Sequence, residues 1–145
     1  VPETIPERFE VGSQNILAIA GLNASLKWIL EIGINNIYKK ERENYNRLIS
    51  ILHEYDNIKI VGRRMENECV GVVSCIFDGY SSDNIGLILN EHGVEVRTGL
   101  HCSPKAHRFL NTFPEGTVRF SISYFNNDKD FKILTDALDY IEENS

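Results

Sequence analysis

Between Ile16 and Leu30 the chain carries Ile16, Leu17, Ile19, Leu22, Leu26, Trp28, Ile29 and Leu30, with small residues at Ala18, Ala20, Gly21 and Ala24. The run reads as a helix, yet its apolar side chains fall on nearly every face rather than on one stripe. A helix apolar all round must be covered on all sides, so the pattern predicts a buried core helix. A membrane role does not fit, because the run is shorter than the roughly 20 residues a spanning helix needs. It also contains Asn23, Ser25 and Lys27. The rest of the chain is expected to cover one side of this helix and not the other. The chain opens Val1-Pro2-Glu3 rather than with Met, which fits a processed product or a piece of a longer protein.

Upstream, Pro2 and Pro6 keep residues 1–15 extended, and Gly12-Ser13-Gln14-Asn15 forms a loop that ends in helix-capping residue types. Gly33 closes the apolar run. A second helix is expected from there to about Tyr55, since Ile34, Ile37, Tyr45, Leu48, Leu52 and Tyr55 recur at spacings of three and four. Its Lys39-Lys40-Glu41-Arg42-Glu43 run reads as a solvated face. Ile58–Val61 and Val70–Phe77 are predicted strands, and a helix capped by Ser81-Ser82-Asp83 reaches about His92 before Gly93. Glu95–Thr98 is a further strand. Thr117–Tyr124 alternates with Val118, Phe120, Ile122 and Tyr124 on one face. Asn127-Asp128-Lys129-Asp130 caps a last helix bearing Phe131, Leu134, Leu138 and Ile141. This order predicts an α/β two-layer sandwich, of the α+β kind, with helices stacked on a mostly antiparallel sheet.

Charge narrows the function classes. The 145 residues hold 15 Lys and Arg against 21 Asp and Glu, and a net charge of -6 argues against general nucleic-acid binding. Three cysteines without a CxxC pair do not make a disulfide framework, and a reducing, cytoplasmic setting fits better. Against this acidic background, Val96 to Pro114 contains no Asp or Glu but holds Arg97, His101, Lys105, His107 and Arg108. Cys102 lies in its middle, on an expected irregular loop. Cationic neighbours favour a thiolate, the nucleophilic form; equally, cysteines often pack as small hydrophobes, and local pattern leaves both readings open. Cys75, within Val72-Val73-Ser74-Cys75-Ile76-Phe77, reads as a core residue, and Cys69 stands at the edge of that strand. His101, Cys102 and His107 lack a fourth ligand and paired spacing, so no metal site is expected. Arg119 alternates with Val118 and Phe120 and is expected to face away from the apolar side. It is either a surface residue or a fork for a substrate carboxylate. Gly12 and Ser13 form a weak phosphate-binding signal ahead of a helix start.

Two separated segments together are more specific than any of these features. Arg97-Thr98-Gly99-Leu100-His101-Cys102-Ser103-Pro104, followed by Phe113-Pro114-Glu115-Gly116-Thr117-Val118-Arg119-Phe120-Ser121 and Tyr124-Phe125-Asn126, resembles the C-terminal part of class V aminotransferase-fold enzymes. The likeness is strongest to the cysteine desulfurase branch with an Arg-x-Gly-x-His-Cys loop. Pro6-Glu7-Arg8-Phe9-Glu10-Val11-Gly12-Ser13-Gln14-Asn15-Ile16, then Ala20-Gly21-Leu22-Asn23-Ala24, is similar to that family's segment after its cofactor lysine.

The resemblance implies a fold-type I pyridoxal 5'-phosphate enzyme that converts L-cysteine to L-alanine. Cys102 would attack the sulfur of the cysteine–cofactor adduct and become a persulfide. Arg119 would hold the substrate carboxylate, and Gly12 and Ser13 would reach the cofactor phosphate of the neighbouring subunit of a homodimer. Residues 1–33 would belong to the large cofactor-binding domain and 34–145 to the small C-terminal domain. Sulfur would pass to an acceptor protein; neither nucleic acid nor membrane is implied. Ser13 stands where Thr is common in the family, and Leu100 where its better-known sulfur-mobilising members carry His. None of the seven lysines follows a His, so the cofactor-anchoring lysine is expected outside this chain. Alone, the chain is expected to lack a cofactor bond and turnover. Two other classes share the pattern: a related aminotransferase, selenocysteine lyase or cysteine-sulfinate enzyme with Cys102 incidental, and a non-catalytic module that binds a partner through residues 96–114.

Overall fold

The computed structural model describes residues 3–10, 12–62 and 70–144. The chain divides into two compact units, Val1–Ile37 and Tyr38–Ser145. In the first, helix α1 (Ile16–Ile32) starts at Asn15, whose side chain accepts from the Ala18 amide at 3.0 Å. Gly33 ends it with φ 85 and donates its amide to the Ile29 carbonyl. The expected buried core helix is corrected here: α1 has no buried residue, and Leu17 and Leu30 are 86% and 82% exposed. The reason is architectural. The arm of residues 3–10 is not extended as expected but turned, with the Arg8 amide donating to the Thr4 carbonyl at 2.8 Å, and it is itself exposed and supplies no second layer. No single helix among the described residues is long and apolar enough to cross a membrane.

The second unit is built on one antiparallel sheet. Helix α2 (Ile34–Leu52) leads into strands β1 (Ile58–Val61) and β2 (Val72–Phe77), then α3 (Ser82–Glu91), β3 (Arg97–Gly99), α4 (Pro104–Phe109), β4 (Thr117–Ser121) and α5 (Asp128–Glu143). The strand order is β1-β2-β4-β3, and every neighbouring pair is antiparallel. The period-two alternation of the strands sends Val73, Cys75, Phe77, Val118 and Phe120 to one face. There they form a core with Tyr45, Leu48 and Leu52 of α2, Ile85 and Leu89 of α3, and Phe131, Leu134, Leu138 and Ile141 of α5. This is the expected α/β two-layer arrangement, with α2, α3 and α5 contributing to the core on one face of the sheet.

Local signals explain most element ends. Ser81 caps α3 by accepting from the Asn84 amide at 3.2 Å, and Asn127 and Asp130 form a reciprocal capping box on α5. Arg47 of α2 pairs with Asp128 at the start of α5, tying two helices at exposed positions. Tyr55 lies beyond α2 yet is buried, and its hydroxyl donates to Asp139 at 2.6 Å. Burial and the adjacent carboxylate hold that phenol well above its ordinary range.

Three expected strands and one helix end differently. The second helix stops at Leu52, before Tyr55, and β2 starts at Val72 rather than Val70. The strand expected at Glu95–Thr98 is instead Arg97–Gly99. β4 stops at Ser121 because Ser123 and Asn126 turn the chain: the Ser123 amide donates to Asn126 Oδ1 at 2.8 Å. Tyr124 therefore sits in a turn and not on the strand's apolar face. Cys69 lies outside the described residues.

Candidate active site

β3 runs out at Gly99 into a turn closed by the Ser103 amide, which donates to the Leu100 carbonyl at 2.8 Å. His101 and Cys102, the two central residues, have φ 47 and 60. Left-handed values at both centres define a type I′ turn, a shape that usually selects Asn-Gly. Cys102 is exposed at this turn. The chain then enters α4, so the expected irregular loop is corrected to a turn followed by one and a half turns of helix. Pro104 in the first turn of α4 was the available signal, because proline suits a helix start. Six residues are too few to show a period.

The return strand β4 lies between β2 and β3. Arg119 is paired in register with Ser74 on one side and Arg97 on the other. Cross-strand partners share a face, so the row Ser74–Arg119–Arg97 lies on the face turned away from the helices, as expected for Arg119. Two like charges directly opposite one another destabilise a sheet unless an anion offsets them. Arg119 Nε is buried and has no hydrogen-bond partner among the described residues. A buried orphan donor beside a second guanidinium has the chemistry of a site for a carboxylate or other anion.

Two histidines tie the thiol turn to this strand. His101 Nε2 lies 3.1 Å from Thr117 Oγ1 and 3.2 Å from the Thr117 carbonyl oxygen, and Thr117 is buried two residues ahead of Arg119. His107 of α4 is buried as well, with Nδ1 2.7 Å from Thr112 Oγ1 and its ring centroid 5.8 Å from that of His101. Nothing in the sequence pattern marks Thr112 or Thr117 as a histidine partner. Thr117 meets His101 only because β4 returns beside β3, whereas Thr112 lies five residues past its partner His107. The sequence pattern places both histidines in a cationic window. Burial, followed by the charge of Arg119, instead lowers the pKa of His101. The window's guanidinium and ammonium groups are those of Arg97, Arg108 and Lys105.

The His101 shift carries a sign. A histidine whose folded-state pKa is lowered binds its proton less readily when folded. Its contribution to stability is then fully present above the unfolded value of about 6.5 and is lost as pH falls through the lower folded value. Urea unfolding at pH 7 and pH 5 is expected to show a larger loss on acidification for the native sequence than for His101→Gln. Equal losses would mean that neither burial nor the charge of Arg119 lowers the pKa of this imidazole.

The cysteines separate cleanly. Burial in β2 pushes the Cys75 thiol up to about 12, whereas Cys102 is exposed. Iodoacetamide followed by peptide mapping is expected to label Cys102 in the native protein and Cys75 only after unfolding. Labelling of both at equal rates would contradict the packing of β2. Among the described residues, no group of three or more His, Cys, Asp and Glu side chains is placed to hold a metal ion. A cavity of about 290 Å³ is lined by Leu48, Val94, Phe120, Ile122, Phe131 and Leu134 among others, and neither Cys102 nor Arg119 borders it.

Gly12 and Ser13 belong to the first unit and are described within it alone. Both are exposed, and Gly12 has φ 91 with open space where a Cβ would stand. They precede the N-terminus of α1, whose first turn carries no acidic residue. An exposed hydroxyl and backbone amides just ahead of a helix start have chemistry suited to a phosphate.

Residues 2–134 match the class-V aminotransferase family, and the chain belongs to it. The cysteine desulfurase of Synechococcus elongatus is 30% identical over 145 residues, covering 100% of this chain and 22% of that protein. A probable cysteine desulfurase of Pyrococcus abyssi is 34% identical over 134 residues, covering 92% of this chain and 33% of the relative. The apo structure of the cysteine desulfurase from Thermococcus onnurineus superposes with a TM-score of 0.86 at 29% identity, over 97% of this chain and 34% of that one. The chain thus spans between about a fifth and a third of the length of these relatives.

Proposed function

We propose that a full-length protein carrying this chain is a pyridoxal-phosphate-dependent cysteine desulfurase that converts L-cysteine to L-alanine and leaves a persulfide on Cys102. The observation that carries this reading is the exposed Cys102 in a strained turn, tied through His101 to the strand that holds Arg119. The desulfurase names of the relatives support it. When bound, pyridoxal phosphate supplies an electron sink for the amino acid's Cα. Gly12 and Ser13 reach the cofactor phosphate of the neighbouring subunit through backbone amides and a hydroxyl, and the cofactor's lysine comes from outside this chain. Arg119 fixes the substrate carboxylate with a charge-assisted fork. Cys102 takes the substrate sulfur: the C–S bond breaks, an S–S bond forms, the thiol's proton remains with the carbon skeleton, and that skeleton leaves as alanine.

In this reading residues 1–33 belong to the large cofactor domain and residues 34–145 to the small domain. The working protein is a cytoplasmic homodimer that passes its sulfur to an acceptor protein.

The test supplies the full-length protein with pyridoxal phosphate, L-cysteine and a thiol reductant. Alanine and sulfide are expected in equal amounts; no alanine would sink the reading. In the same assay Arg119→Gln is expected to raise KM for cysteine by about 10- to 100-fold, matching loss of a charge-assisted bond of roughly 1.5–3 kcal/mol. A KM within error of the wild type would remove Arg119 from the substrate site.

A further inference from the structure

The thiol turn is poorly encoded by its own residues. A type I′ turn places both central residues in the left-handed region, which suits glycine and asparagine and disfavours other L residues. Here the two positions are His101 and Cys102, so the shape must be held by something outside the turn. One end is held by β3, since Gly99 is the register partner of Thr117. The tip is held by the His101 ring, whose Nε2 faces both polar atoms of Thr117 at 3.1 and 3.2 Å. A carbonyl oxygen only accepts, so the bond to it requires the ring proton on Nε2. Thr117 is itself 1% exposed and offers a fixed anchor. The same residue begins β4, with Arg119 next on its face.

We propose that His101 is a positioning residue for Cys102: its Nε2–H bond to Thr117 holds the left-handed turn that presents the thiol and sets it in register with the strand carrying Arg119. The inference rests on the desulfurase reading for its kinetic consequence but not for its geometric one. His101 touches neither the sulfur being moved nor the carboxylate; it acts through the backbone of the turn. The His107–Thr112 bond is different in kind: its partners lie five residues apart and close the C-terminal end of α4 locally.

The test compares His101→Phe, which keeps an aromatic ring without a donor, with His101→Gln, whose side-chain amide nitrogen can take the place of Nε2. Both are made in the full-length protein, with melting temperature followed throughout. His101→Phe is expected to lower kcat by about 10²-fold, as a misplacement of about 1 Å can. KM for cysteine should stay within a few-fold, because Arg119 keeps its strand. His101→Gln should recover most of kcat. The rate of Cys102 alkylation by iodoacetamide should depart several-fold from wild type in His101→Phe and return in His101→Gln.

Wild-type kcat and alkylation in His101→Phe would overturn the inference. So would a fall in kcat, a rise in KM and a fall in melting temperature that both variants share equally, since that is the mark of general destabilisation. If the wild-type protein makes no alanine, the desulfurase reading fails, and the alkylation comparison alone decides whether His101 holds the turn.

Discussion

Cys102→Ser in the full-length protein is expected to lower alanine formation from L-cysteine by at least about 10³-fold, with little change in folding stability. The size follows from the role. A serine hydroxyl is a poor sulfur acceptor, and no other described cysteine can replace the thiol, because Cys75 is 0% exposed on the core face of β2. The small effect on folding follows from exposure: Cys102 makes no core contact whose loss would be felt. Two measurements check it. Alanine is counted under steady-state conditions, and the Cys102 peptide is weighed after a single turnover without reductant, when it should be heavier by one sulfur. Alanine formed equally well by Cys102→Ser would keep the fold and family and remove the persulfide reaction. Such a result would favour a related enzyme in which the cysteine is incidental.

Gly116→Ala is expected to cost about 3–5 kcal/mol of stability and to abolish turnover with it. Two causes act together. Gly116 has φ 75, where an alanine is strained. A Cβ there would also overlap the carbonyl group of Gly99 and stand 2.6 Å from its Cα. Both obstacles are backbone and cannot swing aside. Relief requires β3 and β4 to part just where Gly99 meets Thr117, at the root of the thiol turn. Gly79→Ala is the control, since Gly79 has φ 85 but nothing within 4 Å of an added Cβ. It should lose only the backbone term, about 1 kcal/mol. Urea unfolding of the two variants separates space from conformation. Equal losses would show that the Gly99–Gly116 approach does not constrain the sheet.

What could be read from the sequence depended on the range of the interaction. Element types came from periodicity and caps, which act within a few residues: Ser81 before α3, Asn127 with Asp130 on α5, and the Val118–Phe120 alternation of β4. α4 escaped because six residues carry no period. The two local residues of the candidate site, Cys102 and Arg119, stood out as a thiol in an acid-free window and a lone charge on an apolar strand. Thr112, Thr117 and Gly116 did not. The roles of Thr117 and Gly116 appear only when β4 returns beside β3, and that of Thr112 only once α4 has formed.

The apolar circumference of α1 shows the same division from the other side. Composition alone showed that this helix needs cover on every side, yet no side chain of α1 is buried in this chain. Hydrophobicity is a property of each residue and can be read one position at a time, while burial depends on what comes to lie alongside. The sequence by itself determined the helices, the strand alternation, the family pattern and the chemistry of the thiol and guanidinium. Tertiary structure decided the register that sets Arg97 opposite Arg119, the burial that lowers the His101 pKa, and the left-handed turn that exposes Cys102. Each of these requires contacts between residues far apart in the chain, and a local code of φ, ψ and polarity does not contain them.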